Sequence, residues 1–71
     1  MDSVSFAGEY IKLGQAMKLA GLVSSGVEAK IVIQNGDVTV NGETETRRGR
    51  KLTGGETIGY MGRTVTVQKE S

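Results

Sequence analysis

The chain contains no cysteine, no histidine and no proline. Without thiols it can form neither a disulfide nor a zinc–thiolate site, and without imidazole it has no ordinary neutral-pH general base or nitrogen ligand for a metal. Aromatic residues are nearly as scarce, since Phe6, Tyr10 and Tyr60 are the only three. That excludes the interleaved stacking platform on which single-stranded nucleic acid is usually read. No apolar run approaches membrane-spanning length, and Met1-Asp2-Ser3-Val4-Ser5 lacks the basic-then-apolar layout of a secretory signal. The expectation is a soluble, cytoplasmic protein without a membrane partner, and the lack of cysteine fits a reducing compartment.

Seventy-one residues allow one domain, and a chain of this size buries only about 60% of its unfolded surface. There is no room for a catalytic domain or an interdomain cleft. Gly54-Gly55 neither follows a strand nor opens a helix, as a phosphate loop must. Ser24 and Ser25 have no histidine to activate them, and the carboxylates fall on turns and exposed strand positions, without the burial or close like-charge placement that a catalytic pair needs. The sequence therefore offers no catalytic residue, no metal site and no cofactor site, and a non-enzyme is expected.

What is present is periodicity and punctuation. Residues 1–8 have no clear period and read as a loose N-terminal segment, leaving 9–71 as a single domain. Glu9 to Leu13 alternates as a half-buried strand, and Gly14 is a permissible cap for a helix over Gln15–Ala20 with Ala16, Met17 and Ala20 inward. Gly21 ends that helix and Leu22-Val23 plugs the core. Ser25 caps a second helix that starts near Gly26, and Glu28, three residues on, can reach back to the cap amide. Ala29, Val32 and Ile33 form its core stripe, whereas Val27 and Ile31 form a weaker second stripe read as a contact for the N-terminal segment. Asn35-Gly36 stops the helix.

Val38-Thr39-Val40 is β-branched throughout, and Asn41-Gly42 after it is a strong two-residue hairpin signal. Glu43-Thr44-Glu45-Thr46 then reads as a solvated strand and Leu52 as a return to the core. Thr53-Gly54-Gly55-Glu56 and Met61-Gly62-Arg63 read as turns, flanking a strand over Thr57–Tyr60 and preceding a closing strand over Thr64–Gln68. The fold class is α+β: two short helices in a helix-turn-helix-like corner, packed on a small, bent, mostly antiparallel sheet.

A net charge of +1 is too small to announce a nucleic-acid binder, so the distribution of charge carries the argument. Arg47, Arg48, Arg50 and Lys51 place four of the nine cations within five positions. Arginine predominates there, and its planar fork suits bidentate phosphate binding. Gly49 within the run lets a sugar-phosphate chain come close to the backbone. Lys12, Lys18 and Lys30 belong to the helical corner and extend the basic surface if that corner abuts the run.

The stretch SSGVEAKIVIQNGDVTVNG resembles the αL motif of the ribosomal-protein-S-four-like RNA-binding domain, with its Ser-x-x-Glu-Ala-Lys/Arg helix and Gly-x-Val-x-Val-Asn-Gly turn. The likeness extends back through Lys12 to Leu22 and forward through Arg47 to Leu52, in the KLAG…SG…AK…VNGE…RRGRKL pattern of small stand-alone bacterial members. Two positions depart from it, Gly14 where Asp is common and Gly26 where Arg is common. The resemblance implies a non-enzymatic αL-motif protein whose RNA-binding face comprises Lys12, Lys18, Ser25, Lys30, Asn41, Arg47, Arg48, Arg50 and Lys51. Arg63 lies outside that face. The implied partner is structured RNA, ribosomal or transfer, bound by a monomer in ribosome assembly or translation, with a ribosomal subunit or its precursor as the candidate assembly. The alternative is a protein-interaction module using the Val27/Ile31 stripe or a sheet edge.

Overall fold

A computed structural model describes residues 2–70. In chain order the elements are β1 (Asp2–Phe6), β2 (Ile11–Lys12), α1 (Leu13–Leu19), α2 (Gly26–Gln34), β3 (Val38–Val40), β4 (Glu43–Thr44), β5 (Lys51–Leu52), β6 (Thr57–Tyr60) and β7 (Arg63–Lys69). Five strands form one mixed sheet in the order β1-β7-β6-β3-β4, and β2 pairs with β5 in a separate two-stranded ladder. Every pairing in the larger sheet is antiparallel except that of β1 with β7. Two helices on a mostly antiparallel sheet is the α+β arrangement expected. Among the described residues no helix is long and apolar enough to cross a membrane.

The N-terminal segment requires a correction. Residues 2–6 are not loose: they run parallel to β7 in the register Val4↔Val67, and Val4 and Phe6 enter the core at 8% and 6% exposure. DSVSF does alternate, polar out and apolar in, but its polar positions are Asp and Ser, which favour turns over strands. A long-range partner, β7, overrides that local preference. Met1 lies outside the described residues.

The core is one cluster. Leu13, Ala16 and Met17 of α1 and Ala29 and Ile33 of α2 are wholly buried, as are Val38, Leu52, Ile58, Val65 and Val67 from the strands. Each fully buried Leu, Ile, Val or Met contributes about 1.5–3 kcal/mol. Leu22 and Val23 plug the corner between the helices as expected, and Val32 packs at its margin. Val27 and Ile31, by contrast, remain 69% and 53% exposed. The N-terminal segment is instead paired with β7 at an edge of the sheet, and the Val27/Ile31 stripe stays open to solvent.

The turns follow their residues. Asn41 and Gly42 have φ of 54° and 85° and connect β3 to β4 with Val40 opposite Glu43, the two-positive-φ geometry that matches strand twist. Met61 and Gly62, at 49° and 77°, make the same kind of turn between β6 and β7. Gly36 at φ 84° terminates α2 after the cap residue Asn35. Helix α1 begins earlier than Gly14 predicts, with Lys12 at the N-cap position and Gln15 Oε1 accepting from the Lys12 amide at 3.4 Å.

Candidate nucleic-acid interface

The basic run is held against the helical corner by backbone hydrogen bonds. The Leu13 amide donates to the Arg50 carbonyl at 2.8 Å and the Gly14 amide to the Arg48 carbonyl at 3.1 Å, while β2 and β5 pair Lys12 with Lys51. Residues far apart in sequence thus become one surface. The condition placed on the lysines is met by two of them, since Lys12 at the start of α1 and Lys18 in its last turn face the run across a recess of about 370 Å³. Arg48 and Gln15 complete its polar lining, and among the described residues no carboxylate lines it. Gly14, Gly26 and Gly49 supply backbone walls. Lys30 is exposed on α2 but is not among the residues lining this recess.

Within the run the cations are not equivalent. Glu45, read from sequence as part of a solvated strand, is 6% exposed and is the anchor of the loop. The Arg47 Nε and Nη2 donate to its two oxygens at 3.0 Å each, the Arg47 amide donates at 3.1 Å, and Arg50 Nη1 donates at 3.0 Å. The hydrogen bonds from Arg47 hold the Glu45 carboxyl down at about 2 from its ordinary 4.5, because they favour the charged form. Its own amide donates to the Val38 carbonyl at 3.0 Å, which ties the loop to β3. Arg47 nevertheless keeps 74% of its side chain exposed, whereas Arg50 keeps 32%.

Arg48 is free of these bonds and makes no ion pair among the described residues. Its stem lies across Gly14, where a Cβ would stand 2.7 Å from Arg48 Cγ. Glycine at 14 is what lets Arg48 lie flat on the helix start. Lys51 places Nζ 4.8 Å from the centre of the Tyr10 ring, a cation–π contact that fixes the far end of the run. Arg47, Arg50, Lys51 and Gly49 border a second, more open recess.

Two further candidates have internal partners. Ser25 caps α2, its Oγ accepting from the Glu28 amide at 3.1 Å, but the Glu28 carboxylate accepts from the Ser24 amide and hydroxyl at 2.7 and 3.0 Å instead of from the cap amide. Those bonds lower the Glu28 pKa. Asn41 Oδ1 accepts from the Thr57 amide at 3.0 Å, pinning the hairpin turn to β6. Arg63 reaches Asp2 at 3.4 Å and lies elsewhere, in β7. Sequence reasoning missed Glu45, Gln15 and Tyr10; the Glu-x-Arg-x-x-Arg spacing was the available signal for the first.

The S4 domain family model matches residues 4–68. YbcJ of Escherichia coli K12 is 40% identical over 58 residues, covering 82% of this chain and 83% of that protein. RlbA of Bacillus subtilis, a probable ribosome maturation protein, is 42% identical over 61 residues, covering 86% of each. A tyrosine–tRNA ligase of Burkholderia lata is 39% identical over 63 residues, 89% of this chain but 15% of the ligase. The solution structure of E. coli YbcJ, described as revealing an αL motif involved in RNA binding, superposes with a TM-score of 0.74 at 36% identity, covering 96% of this chain and 87% of that one.

Proposed function

The chain belongs to the S4 domain family, and on that premise we propose that it binds structured RNA through the surface formed by α1, the start of α2 and the 45–52 loop. The observation that carries this reading is the convergence of Lys12, Lys18 and Arg48 on a recess that, among the described residues, no carboxylate lines. Exposed lysine and arginine without nearby anions displace counterions from a phosphate backbone. Arg47 and Lys51 continue the surface, Arg50 and Glu45 brace it, and Ser25 and Asn41 hold the elements that present it. Lys30, exposed on α2, lines neither recess. Phosphate contacts of this kind position a duplex without reading its sequence, which suits a chain with three aromatic residues.

The proposed role is that of a binding protein and not of an enzyme, and the match to the S4 domain supports it. Ribosomal or transfer RNA in the cytoplasm is the proposed target, with ribosome assembly or translation as the setting and the monomer as the acting form. The named roles of RlbA and of the ligase support that choice. Ultraviolet crosslinking in cells followed by sequencing of the recovered RNA tests it. Enrichment of structured ribosomal or transfer RNA is expected, and recovery of protein without RNA would refute it. A second reading, a protein-contact function, draws support from the exposed Val27 and Ile31. Under it, Ile31→Lys abolishes partner recovery and leaves crosslinked RNA unchanged.

A further inference from the structure

We infer that the recess between α1 and the 45–52 loop takes a single unpaired nucleotide projecting from an RNA duplex, an inference that rests on the RNA-binding reading above and assigns a ligand to one part of that surface. Its volume of about 370 Å³ lies at the lower end of small-ligand sites, the scale of one nucleotide and far below that of a helix. Its lining separates by chemistry. Lys12 and Lys18 present ammonium groups for a phosphate, Gln15 presents an amide able both to donate to and accept from a base edge, and Arg48 presents a planar guanidinium. Arginine planes stack on unpaired bases as aromatic rings do, and a stacked guanidinium keeps its charge beside the adjoining phosphates, so Arg48 still counts toward their neutralisation.

The glycines give the recess its shape. With Arg48 Cγ where a Cβ at residue 14 would intrude, the arginine stem is seated on the helix start, and Arg48 lines the recess from there. Gly26, the first residue of α2, also lines the recess, and a Cβ there would meet nothing within 4 Å. Open space beside a backbone wall admits a flat base closely. Arg47 and Arg50 are turned onto Glu45 and are not part of the lining, so among the described residues the recess has one guanidinium and no competing carboxylate. A continuous duplex can lie over the rim but cannot enter; an extrahelical nucleotide can do both. Extrusion costs least where the base is already unpaired, so a bulge or a helix end is the form that fits.

The test uses two RNA hairpins identical except for one bulged 2-aminopurine nucleotide. Fluorescence anisotropy gives the ratio of their affinities, and 2-aminopurine emission reports the environment of the bulged base. The wild type is expected to prefer the bulged hairpin by about tenfold and to change the emission on binding. Gly26→Leu places a side chain in the open space at a helical position where leucine is a better helix former than glycine, so its melting temperature should not fall while the ratio drops to about 1. Arg63→Gln, distant in β7, keeps the ratio. Equal wild-type affinity for the two hairpins, or an undiminished ratio in a folded Gly26→Leu protein, overturns the inference while leaving RNA binding intact. Failure of the wild type to bind either hairpin refutes the RNA-binding reading itself, and this inference with it.

Discussion

Replacing Glu45 by Gln removes the one buried charge on which the basic loop turns. The carboxylate accepts four hydrogen bonds, three from Arg47 and one from Arg50, all between 3.0 and 3.1 Å. Its pKa is held at about 2 against an ordinary 4.5, a difference that corresponds to at most about 3 kcal/mol of linked stability. Arg47 is 74% exposed, and solvent screening of that partner reduces the contribution to about 1–2 kcal/mol. Because the folded-state pKa is the lower one, this stability is complete above about pH 4.5 and is lost as the pH falls toward 2. Thermal melts by circular dichroism at pH 7 should place Glu45→Gln about 5–10 °C below wild type, and the gap should narrow progressively as the pH falls from 4.5 toward 2. Glu28 and Glu56, whose pKa values are also lowered, destabilise both proteins alike in acid, so the difference isolates Glu45. A gap that is absent at pH 7, or that persists unchanged at pH 2.5, would refute the anchoring role.

Three other substitutions test the frame that carries the loop. Gly42→Val should cost more than about 1 kcal/mol, because a β-branched residue resists the φ of 85° although no atom obstructs its Cβ; an unchanged denaturant midpoint would contradict the turn. Ser25→Ala should cost about 1 kcal/mol through loss of the bond to the Glu28 amide, with no direct loss of RNA affinity, and a large affinity loss in a folded protein would make Ser25 a contact residue. Phe6→Ala should cost about 3–5 kcal/mol, enough to unfold much of so small a domain, because Phe6 sits in the core beside β7; a mild effect would return the N-terminal segment to the status of a loose arm.

The parts legible in the sequence are those decided within a few residues. Ser25, Asn35-Gly36 and Asn41-Gly42 act through local geometry, so the limits of α2 and the β3–β4 turn stand where the residues place them. What depended on distant partners was not legible. Asp2 to Phe6 becomes a strand only because β7, sixty residues on, offers it an edge. Glu45 looks like one more exposed acid until the chain folds Arg47 and Arg50 around it. The same limit applied to the site: four clustered cations were visible, but two of them are spoken for by Glu45, and the free one, Arg48, meets Lys12 and Lys18 only through the backbone bonds of Leu13 and Gly14.

The central claim is that Lys12, Lys18 and Arg48 together neutralise RNA phosphates, and the salt dependence of binding measures it directly. On a duplex-like backbone each neutralised phosphate contributes about 0.9 to the slope of log affinity against log salt. Anisotropy titrations of an RNA hairpin at several salt concentrations should give a wild-type slope of about 3–4, with Arg47 or Lys51 adding to the three. The combined Lys12→Gln, Lys18→Gln, Arg48→Gln protein should fall by about 2–3, and Arg63→Gln should match wild type. A triple variant that keeps the wild-type slope, or an Arg63→Gln protein that loses as much, would contradict the account.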